Sequence, residues 1–270
     1  MILINMEKLQ LNPNEVVLKY DEFGNIHKVA KYFGTSITPI KRILKESGVD
    51  VTNRRFYVNK NYFDIIDSEE KAYWLGFLFA DGYIRERKSG KSLEVKLSQN
   101  DEEHLILFRN SVNSNHKISY GINRVKYKDG ISESKMCCLA IYSNELVDSI
   151  KTQGIHSRKT FTIKAPNIDV CLIPHFIRGY FDGDGSFSFK PKQYSKTQIV
   201  SASESFIEFI IEELNKNGIQ IYLYSDIKLQ IQNKIDNLKF YNYIYKNATI
   251  YLKRKKEKYE EFKKYYEYDN

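Results

Sequence analysis

The sequence predicts an α+β fold made of two copies of one unit, preceded by a small all-helical segment. Two apolar stretches, YWLGFLFADGY at residues 73–83 and FIRGYFDGDGS at residues 176–186, resemble one another and both contain Asp-Gly. Strands, a helix, more strands, another helix and a basic cluster follow each stretch in the same order. The aspartates that end the two apolar runs are 103 residues apart. This repetition indicates an internal duplication with approximate two-fold symmetry.

The first 50 residues predict a compact unit of three short helices. Helices are expected over residues 15–20, 26–33 and 38–47, each with apolar residues at helical spacing. Gly34 breaks the second helix and Gly48 ends the third. Two helices joined by a short glycine-containing turn are the helix-turn-helix pattern. We therefore assign residues 1–50 to one domain.

A basic linker over residues 51–67 separates this domain from the first repeat, which we place at residues 68–165. Ser68 followed by two glutamates is typical of a capped helix start, and that helix is the first apolar stretch. Alternating apolar and polar residues then predict strands. The expected strands are 83–86, 93–99, 117–127 and 136–142, and the expected helices are 102–110 and 144–153.

The second repeat occupies residues 166–270 and follows the same order. Its expected strands are 187–189, 198–201, 219–224 and 228–231. Its expected helices after the apolar stretch are 204–217, 235–246 and 253–266.

The two apolar helices carry small residues four positions apart, Gly76 with Ala80 and Gly179 with Gly183. This spacing places the small residues on one helix face, where a second helix can approach closely. Two helices packed through these faces would bring their C-terminal carboxylates, Asp81 and Asp184, together. Paired carboxylates of this kind suit a divalent metal ion.

Both segments resemble the LAGLIDADG motif of homing endonucleases, and the resemblance covers roughly residues 60–265. It implies an αββαββα unit repeated twice, with a saddle of antiparallel strands over DNA. It also implies metal-dependent cleavage of both strands at a long asymmetric site, with short 3′ overhangs and a role in mobility of the encoding gene. Free-standing phage or intron-type members are the nearest likeness.

Asp81 and Asp184 match the last acidic position of that motif and are the expected metal ligands. Mg²⁺, with Mn²⁺ as a substitute, takes oxygen ligands and keeps several waters, so backbone oxygens near Gly82 and Gly185 and DNA oxygens would complete the site. Asp182 matches an earlier acidic position, where the first copy has Phe79. We therefore interpret Asp182 as a supporting residue rather than a ligand.

A basic group near the scissile phosphate should offset charge in the transition state or order the attacking water. Lys159 and Lys255 come after the last strand-helix portion of their repeats and match the basic position of the family. Residues 253–256 are all basic, so the second assignment is open within that cluster.

Strand residues would read DNA bases, because a curved antiparallel ribbon fits the major groove. The helix-turn-helix and the linker would extend the contact, although an ordinary three-helix bundle with a solvated polar face is the alternative. The DNA-binding candidates are Thr38, Lys41, Arg42, Lys45, Arg54, Arg55, Arg85, Arg87, Lys96, Arg124, Lys126, Lys190, Lys192, Gln198 and Lys228.

The net charge of +8 and a pI of about 9.1 favour a polyanionic partner. No run approaches transmembrane length, and the first four residues are too short for a signal peptide, so we expect a cytoplasmic protein encoded by a phage, bacterium or organelle. Two motifs in one chain predict that it acts as a monomer. Three cysteines without a CxxC pattern are expected to be buried, reduced thiols.

Two alternatives share this scaffold. One is an intron maturase that binds RNA, and the other is a DNA-binding regulator that does not cut. The chain begins Met1-Ile2, without a splicing nucleophile, so we expect no intein activity.

Overall fold

The computed structural model describes residues 11–23, 26–49, 56–127, 130–157 and 159–267. The chain divides into two compact units, residues 1–57 and residues 58–270. Within the described ranges, no helix has both the length and the apolar character needed to cross a bilayer. Arg54 and Arg55 lie outside the described residues.

In the part of the smaller unit that the structure describes there are three helices, α1 (Pro13–Phe23), α2 (Ile26–Tyr32) and α3 (Ile37–Glu46). Their apolar faces meet in a core that includes Val16, Val29 and Leu44. Gly34 and Gly48 both adopt positive φ angles, +61° and +72°, at the ends of α2 and α3. A residue with a side chain is strained in this conformation, so the two glycines mark the helix ends that the sequence predicts.

The larger unit contains two α/β repeats and two four-stranded antiparallel sheets. Strand order is β1-β2-β4-β3 in the first sheet and β5-β6-β8-β7 in the second. The first repeat comprises α4 (Glu69–Asp81), β1 (Gly82–Arg87), β2 (Gly90–Ser98), α5 (Glu102–Ser111), β3 (Ile118–Tyr127), β4 (Gly130–Tyr142) and α6 (Asn144–Thr152). The second comprises α7 (Ile173–Asp184), β5 (Gly185–Lys190), β6 (Tyr194–Val200), α8 (Glu204–Lys216), β7 (Tyr222–Ser225), β8 (Lys228–Ile231), α9 (Lys234–Tyr245) and α10 (Lys253–Glu267). The α+β class and the duplicated αββαββα order are thereby confirmed.

The helix pair α4 and α7 lies at the centre of this unit. Every residue from Ala72 to Phe79 is buried, and so are residues 176–182. A Cβ atom added at Gly76 would lie 1.9 Å from the carbonyl oxygen of Phe176, and one at Gly179 would lie 1.9 Å from that of Tyr73. The two backbones therefore touch, and only glycine permits this approach.

Each sheet packs one face against the helices. Ile84, Leu93 and Ile141 lie in one cross-strand row of the first sheet and are all buried in the main core. Successive residues of a strand point to opposite faces, so the residues between these belong to the other side. We call that side the open face of each sheet.

Some segments differ from the sequence expectation. Residues 58–67 were assigned to the linker, but Tyr62 and Phe63 are buried in the core of the larger unit, and Lys60 pairs with Glu145 at 2.6 Å. The linker is shorter for that reason: two aromatic side chains fold this segment onto the first repeat. Cys137 is buried as expected, whereas Cys171 is exposed.

Candidate active site

Asp81 and Asp184 are the last residues of α4 and α7, so the packing of these helices determines where the carboxylates lie. The Cβ position of Gly183 is 2.3 Å from Ala80 Cβ and 3.1 Å from Asp81 Oδ2. Asp81 is half-buried and Asp184 is exposed. The C-terminal ends of the two helices therefore meet, and the sequence prediction that this packing brings the carboxylates together agrees with the geometry.

The surroundings of these carboxylates oppose their charge. Burial and, to a smaller extent, the nearby Asp184 raise the pKa of Asp81 to about 6, against the lowering effect of Lys255 and Lys159. Although the Asp184 side chain keeps contact with solvent, partial desolvation raises its pKa, while the same two lysines lower it. Both carboxylates also lie at helix C-termini, where the helix dipole disfavours negative charge. A bound cation would relieve all of these effects.

Lys159 and Lys255 cap the two helices in equivalent ways. Lys159 Nζ donates to the carbonyl oxygens of Phe79 and Ala80, the latter at 2.7 Å. Lys255 Nζ donates to the carbonyl oxygens of Phe181, Asp182 and Gly185 at 2.6 to 2.7 Å. Burial lowers the pKa of each lysine to about 8, and neighbouring aspartates oppose that shift.

The geometry distinguishes Lys255 from the basic residues around it. Lys255 is 6% exposed and lies beneath the end of α7. Lys253 is exposed near Glu257, Arg254 pairs with Asp101 at 2.9 Å, and Lys256 lies over the ring of Tyr251. An ammonium group has three protons to donate, and Lys255 directs all three to backbone oxygens. Its position suits an electrostatic role better than direct donation to phosphate.

Asp182 stabilises the C-terminal end of α7 through buried hydrogen bonds. Its carboxylate accepts hydrogen bonds from the Tyr73 hydroxyl at 2.8 Å and from the Leu252 amide at 2.7 Å. Tyr245 donates to its other oxygen at 3.4 Å. Because Asp182 is 2% exposed and bonded to three elements, it ties α4, α9 and the start of α10 to α7. This agrees with its interpretation as a supporting residue.

Arg178 is a second buried polar residue near the site, and the sequence pattern did not predict its role. Its guanidinium is fully buried and donates to the carbonyls of Ile244 and Ile250, and to Glu69 at 2.7 Å. The Tyr73 ring lies 5.3 Å from it. The sequence does contain a signal for this role. Arg178 is a charged residue inside an apolar motif, and a buried charge needs buried partners.

Gly82 and Gly185, the two glycines expected to offer backbone oxygens to the metal, have different surroundings. Gly82 is buried, and a Cβ there would lie 2.6 Å from the Leu78 carbonyl oxygen. The Gly185 carbonyl already accepts a hydrogen bond from Lys255. Gly185 is therefore a less suitable backbone ligand than the sequence suggests.

The residues present fit a divalent cation held by two carboxylates. Among the described residues, no group of three or more His, Cys, Asp or Glu side chains could hold a metal on its own. Such a cation would therefore complete its shell with backbone, water or DNA oxygens, as Mg²⁺ commonly does.

Most of the strand candidates lie on the open faces. Pairing places Arg85, Arg87 and Lys96 there in the first sheet, and Lys190, Gln198 and Lys228 in the second. Lys192 lies in the turn between β5 and β6, at φ +57°. In α3 of the smaller unit, Thr38, Lys41, Arg42 and Lys45 are all exposed.

Arg124 and Lys126 depart from the expectation. Ile118 pairs with the buried Leu139, so the even-numbered residues of β3 share the face that packs on the helices. Arg124 also forms an ion pair with Glu133 at 2.6 Å. Both residues are exposed near the tip of the hairpin, but not on the open face.

Two packed helices that each deliver a carboxylate and lead into a four-stranded antiparallel sheet define the LAGLIDADG class of proteins. Residues 173–265 match a family model described as a LAGLIDADG-like domain. The resemblance inferred from the sequence is thereby confirmed, and the second repeat is a LAGLIDADG-like domain.

The fold is shared with a solved structure, "the homing endonuclease I-WcaI bound to its DNA recognition sequence". That structure is 16% identical, with a TM-score of 0.51, and the match covers 73% of this chain and 91% of the other. A curated relative, the probable translation initiation factor IF-2 of Methanocaldococcus jannaschii, is 26% identical over 173 residues. That match covers 62% of this chain but only 12% of the relative.

Proposed function

We propose that this protein is a site-specific DNA endonuclease that cuts both strands with the help of a divalent cation. The observation that carries the proposal is the meeting of Asp81 and Asp184 at the ends of two packed helices. The homing endonuclease that shares the fold is described as bound to its DNA recognition sequence, which supports DNA as the partner here.

Each residue of the site has a role in this proposal. Asp81 and Asp184 would hold Mg²⁺, or Mn²⁺ in its place, and the ion would supply an activated water and stabilise the leaving 3′ oxygen. Lys159 makes two hydrogen bonds within the described residues, so its ammonium has one proton left for a phosphate oxygen or the attacking water. Lys255 places a fixed positive charge beside α7. Together the lysines offset the charge that develops at the phosphate.

The two halves would contact two unlike half-sites, which gives a long asymmetric target. One chain supplies both α4 and α7, so a monomer suffices. Short 3′ overhangs and a role in gene mobility follow from the family resemblance, and a cytoplasmic location remains part of the proposal. The exposed cations of α3 would add a helix-turn-helix contact.

The first experiment replaces each carboxylate by its amide, Asp81→Asn and Asp184→Asn. We expect each single substitution to reduce double-strand cleavage of a plasmid library in Mg²⁺ by at least about 100-fold, since loss of one charged ligand disables the shared cation. EDTA should stop cleavage by the wild-type protein. DNA binding, measured by gel shift in EDTA, should persist in both variants.

Asp64→Asn is the matched control, because Asp64 is an exposed aspartate outside the helix pair. It should cut as the wild type does. Wild-type cutting by Asp81→Asn or Asp184→Asn would refute a cation shared between the two helices. If the wild type binds DNA and never cuts, a non-cleaving regulator is the better description. A maturase would instead accelerate splicing of its host intron RNA.

A further inference from the structure

The two sheets present corresponding rows of side chains on their open faces, beside the glycines that follow α4 and α7. Gly82 pairs with Val95, and Gly185 pairs with Ile199, so the next row in each sheet occupies an equivalent place. The row in the first sheet is Tyr83, Glu94 and Ala140. The row in the second sheet is Ser186, Gln198, Gln230 and Tyr222. The same position in the two halves therefore carries different chemistry.

The second row contains a polar atom that lacks a partner. Gln230 is 6% exposed, and its buried Oε1 accepts no hydrogen bond from any described residue. A buried acceptor left in this state destabilises the protein unless a donor reaches it. Gln198 lies directly opposite on β6 and is half-buried. Two adjacent amides, one with an unused acceptor, form a surface that suits a ligand offering both a donor and an acceptor.

The row in the first sheet is charged rather than neutral, and its acidic side chain already has a partner. Glu94 is 9% exposed and pairs with Arg85, one register step along β1, at 2.7 Å to Nε and 2.9 Å to Nη2. Ala140 occupies the place that Gln230 takes in the other sheet, so nothing there duplicates the amide. A carboxylate is repelled by phosphates, so on a DNA-facing surface it suits a base edge rather than the backbone.

Base pairs differ in what they display in the major groove. Adenine offers an amino donor and the N7 acceptor, which together match a carboxamide. Guanine offers two acceptors that match a guanidinium, and cytosine offers an amino donor that matches a carboxylate. The Gln198–Gln230 pair therefore complements A·T, and the Arg85–Glu94 pair complements G·C.

We propose that the two equivalent rows read opposite base pairs: Gln198 and Gln230 select an A·T pair in one half-site, and Arg85 with Glu94 selects a G·C pair at the symmetry-related position of the other. This inference rests on the proposed function, since it takes DNA recognition by the open faces as given. It assigns the half-site difference to these four side chains.

The test is selection of a randomised duplex DNA library by the full chain in EDTA, so that enrichment reports binding alone. Wild-type protein is compared with Gln230→Ala, Gln230→Glu and Arg85→Ala. Gln230→Ala should weaken the adenine preference at one position about tenfold. Gln230→Glu should move that preference from adenine to cytosine, a change that a purely structural role would not produce. Arg85→Ala should relax a G·C preference in the opposite half-site only.

Glu208→Ala, at an exposed position of α8, is the control and should leave the motif unchanged. Thermal melting checks that each variant folds, and Gln198→Ala replaces Gln230→Ala if the buried site does not tolerate truncation. A wild-type motif without A·T at the affected position, or a motif that none of the glutamine variants alters, overturns the inference. So does a wild-type protein that enriches no motif.

Cleavage in Mg²⁺ is measured separately on the enriched sequences. A motif that changes with Gln230 but is never cut supports the inference and refutes the endonuclease proposal. If the protein cuts DNA but the glutamine variants leave the motif unchanged, the endonuclease proposal is supported and the inference about base reading is refuted. The two failures are therefore distinguishable.

Discussion

Asp81 stands at a position that disfavours its own charge in the metal-free protein. Burial and the nearby Asp184 raise its pKa to about 6 from the ordinary value of 3.8. The folded protein therefore binds this proton more tightly than the unfolded chain does. The stability it contributes is fully present below about pH 4 and is lost as the pH rises through about 6. Cation binding has the opposite preference, because it needs the ionised carboxylate.

Asp81→Asn should therefore stabilise the metal-free protein at pH 8 while removing activity. A shift of about two pKa units corresponds to roughly 3 kcal/mol at most, and partial exposure reduces this to about 1–2 kcal/mol. The measurement is thermal melting in EDTA at pH 8 and at pH 4, with Asp64→Asn as the control. The gain should be present at pH 8 and absent at pH 4. A lower melting temperature for Asp81→Asn at pH 8 would contradict the unfavourable burial of this charge.

The roles of some individual site residues can be predicted from the sequence better than those of others. Asp81 and Asp184 follow from the motif, because two apolar helices with matched small residues allow few other arrangements. Lys255 follows only from spacing within a basic cluster, since a sequence does not show which ammonium lies under a helix end. Arg178 and Tyr73 were missed because their partners are backbone carbonyls and a carboxylate that lie far away in the sequence.

The central element of the fold is the α4–α7 pair, and its close approach depends on two glycines. Gly76 and Gly179 each face a backbone carbonyl that a methyl group would approach to 1.9 Å. To remove this steric clash the two helices would have to separate. That separation would also move Asp81 and Asp184 apart. Packing and chemistry are therefore coupled through the same helix faces.

Gly76→Ala should destabilise the protein by about 3 kcal/mol or more, because backbone atoms cannot rotate out of the way as a side chain can. Gly121→Ala is the matched control. Gly121 lies in β3 with nothing within 4 Å of its Cβ position, so its substitution should change stability by less than about 0.5 kcal/mol. Chemical denaturation measures both. Equal stabilities for the two variants would show that α4 and α7 are not in backbone contact.

Helices and strands were mostly placed correctly from sequence, whereas the face of the candidates on β3 was not. Arg124 and Lys126 flank the apolar Val125, and this alternation does not show which face of the strand packs on the helices. Their face is set by the pairing of Ile118 with Leu139, a contact that depends on the register of a hairpin. For the same reason, Glu94 and Gln230 were not recognised as members of equivalent rows. Register depends on how strands pair in the folded protein, and shifting the pairing by one residue moves every side chain of the strand to the other face of the sheet.

On the scale of the whole molecule, the chain contains two separate apolar cores. One includes Val16, Val29 and Ile40 in residues 1–57, and the other occupies residues 58–270 and includes both repeats. A unit with its own core can fold alone. The chemistry proposed above lies entirely in the larger unit, so the smaller unit should contribute to binding rather than to cleavage.

Deleting residues 1–57 should leave a folded protein that still cuts in Mg²⁺ at high concentration but binds DNA more weakly. Lys41, Arg42 and Lys45 are exposed on α3. If all three contact phosphates, their loss should reduce the slope of log K against log [salt] by about 3, because each contact releases close to one counterion. Filter binding across a salt series measures this slope, and footprinting should show a shorter protected segment.

The triple substitution of Lys41, Arg42 and Lys45 by alanine in the full chain is the matched variant, because α3 stays folded around Ile40, Ile43 and Leu44. It should reproduce most of the change in slope. If the deletion alters the slope and the triple substitution does not, the contact comes from another part of residues 1–57. If neither alters affinity, slope or footprint, the three-helix unit does not bind DNA and its polar face is simply solvated.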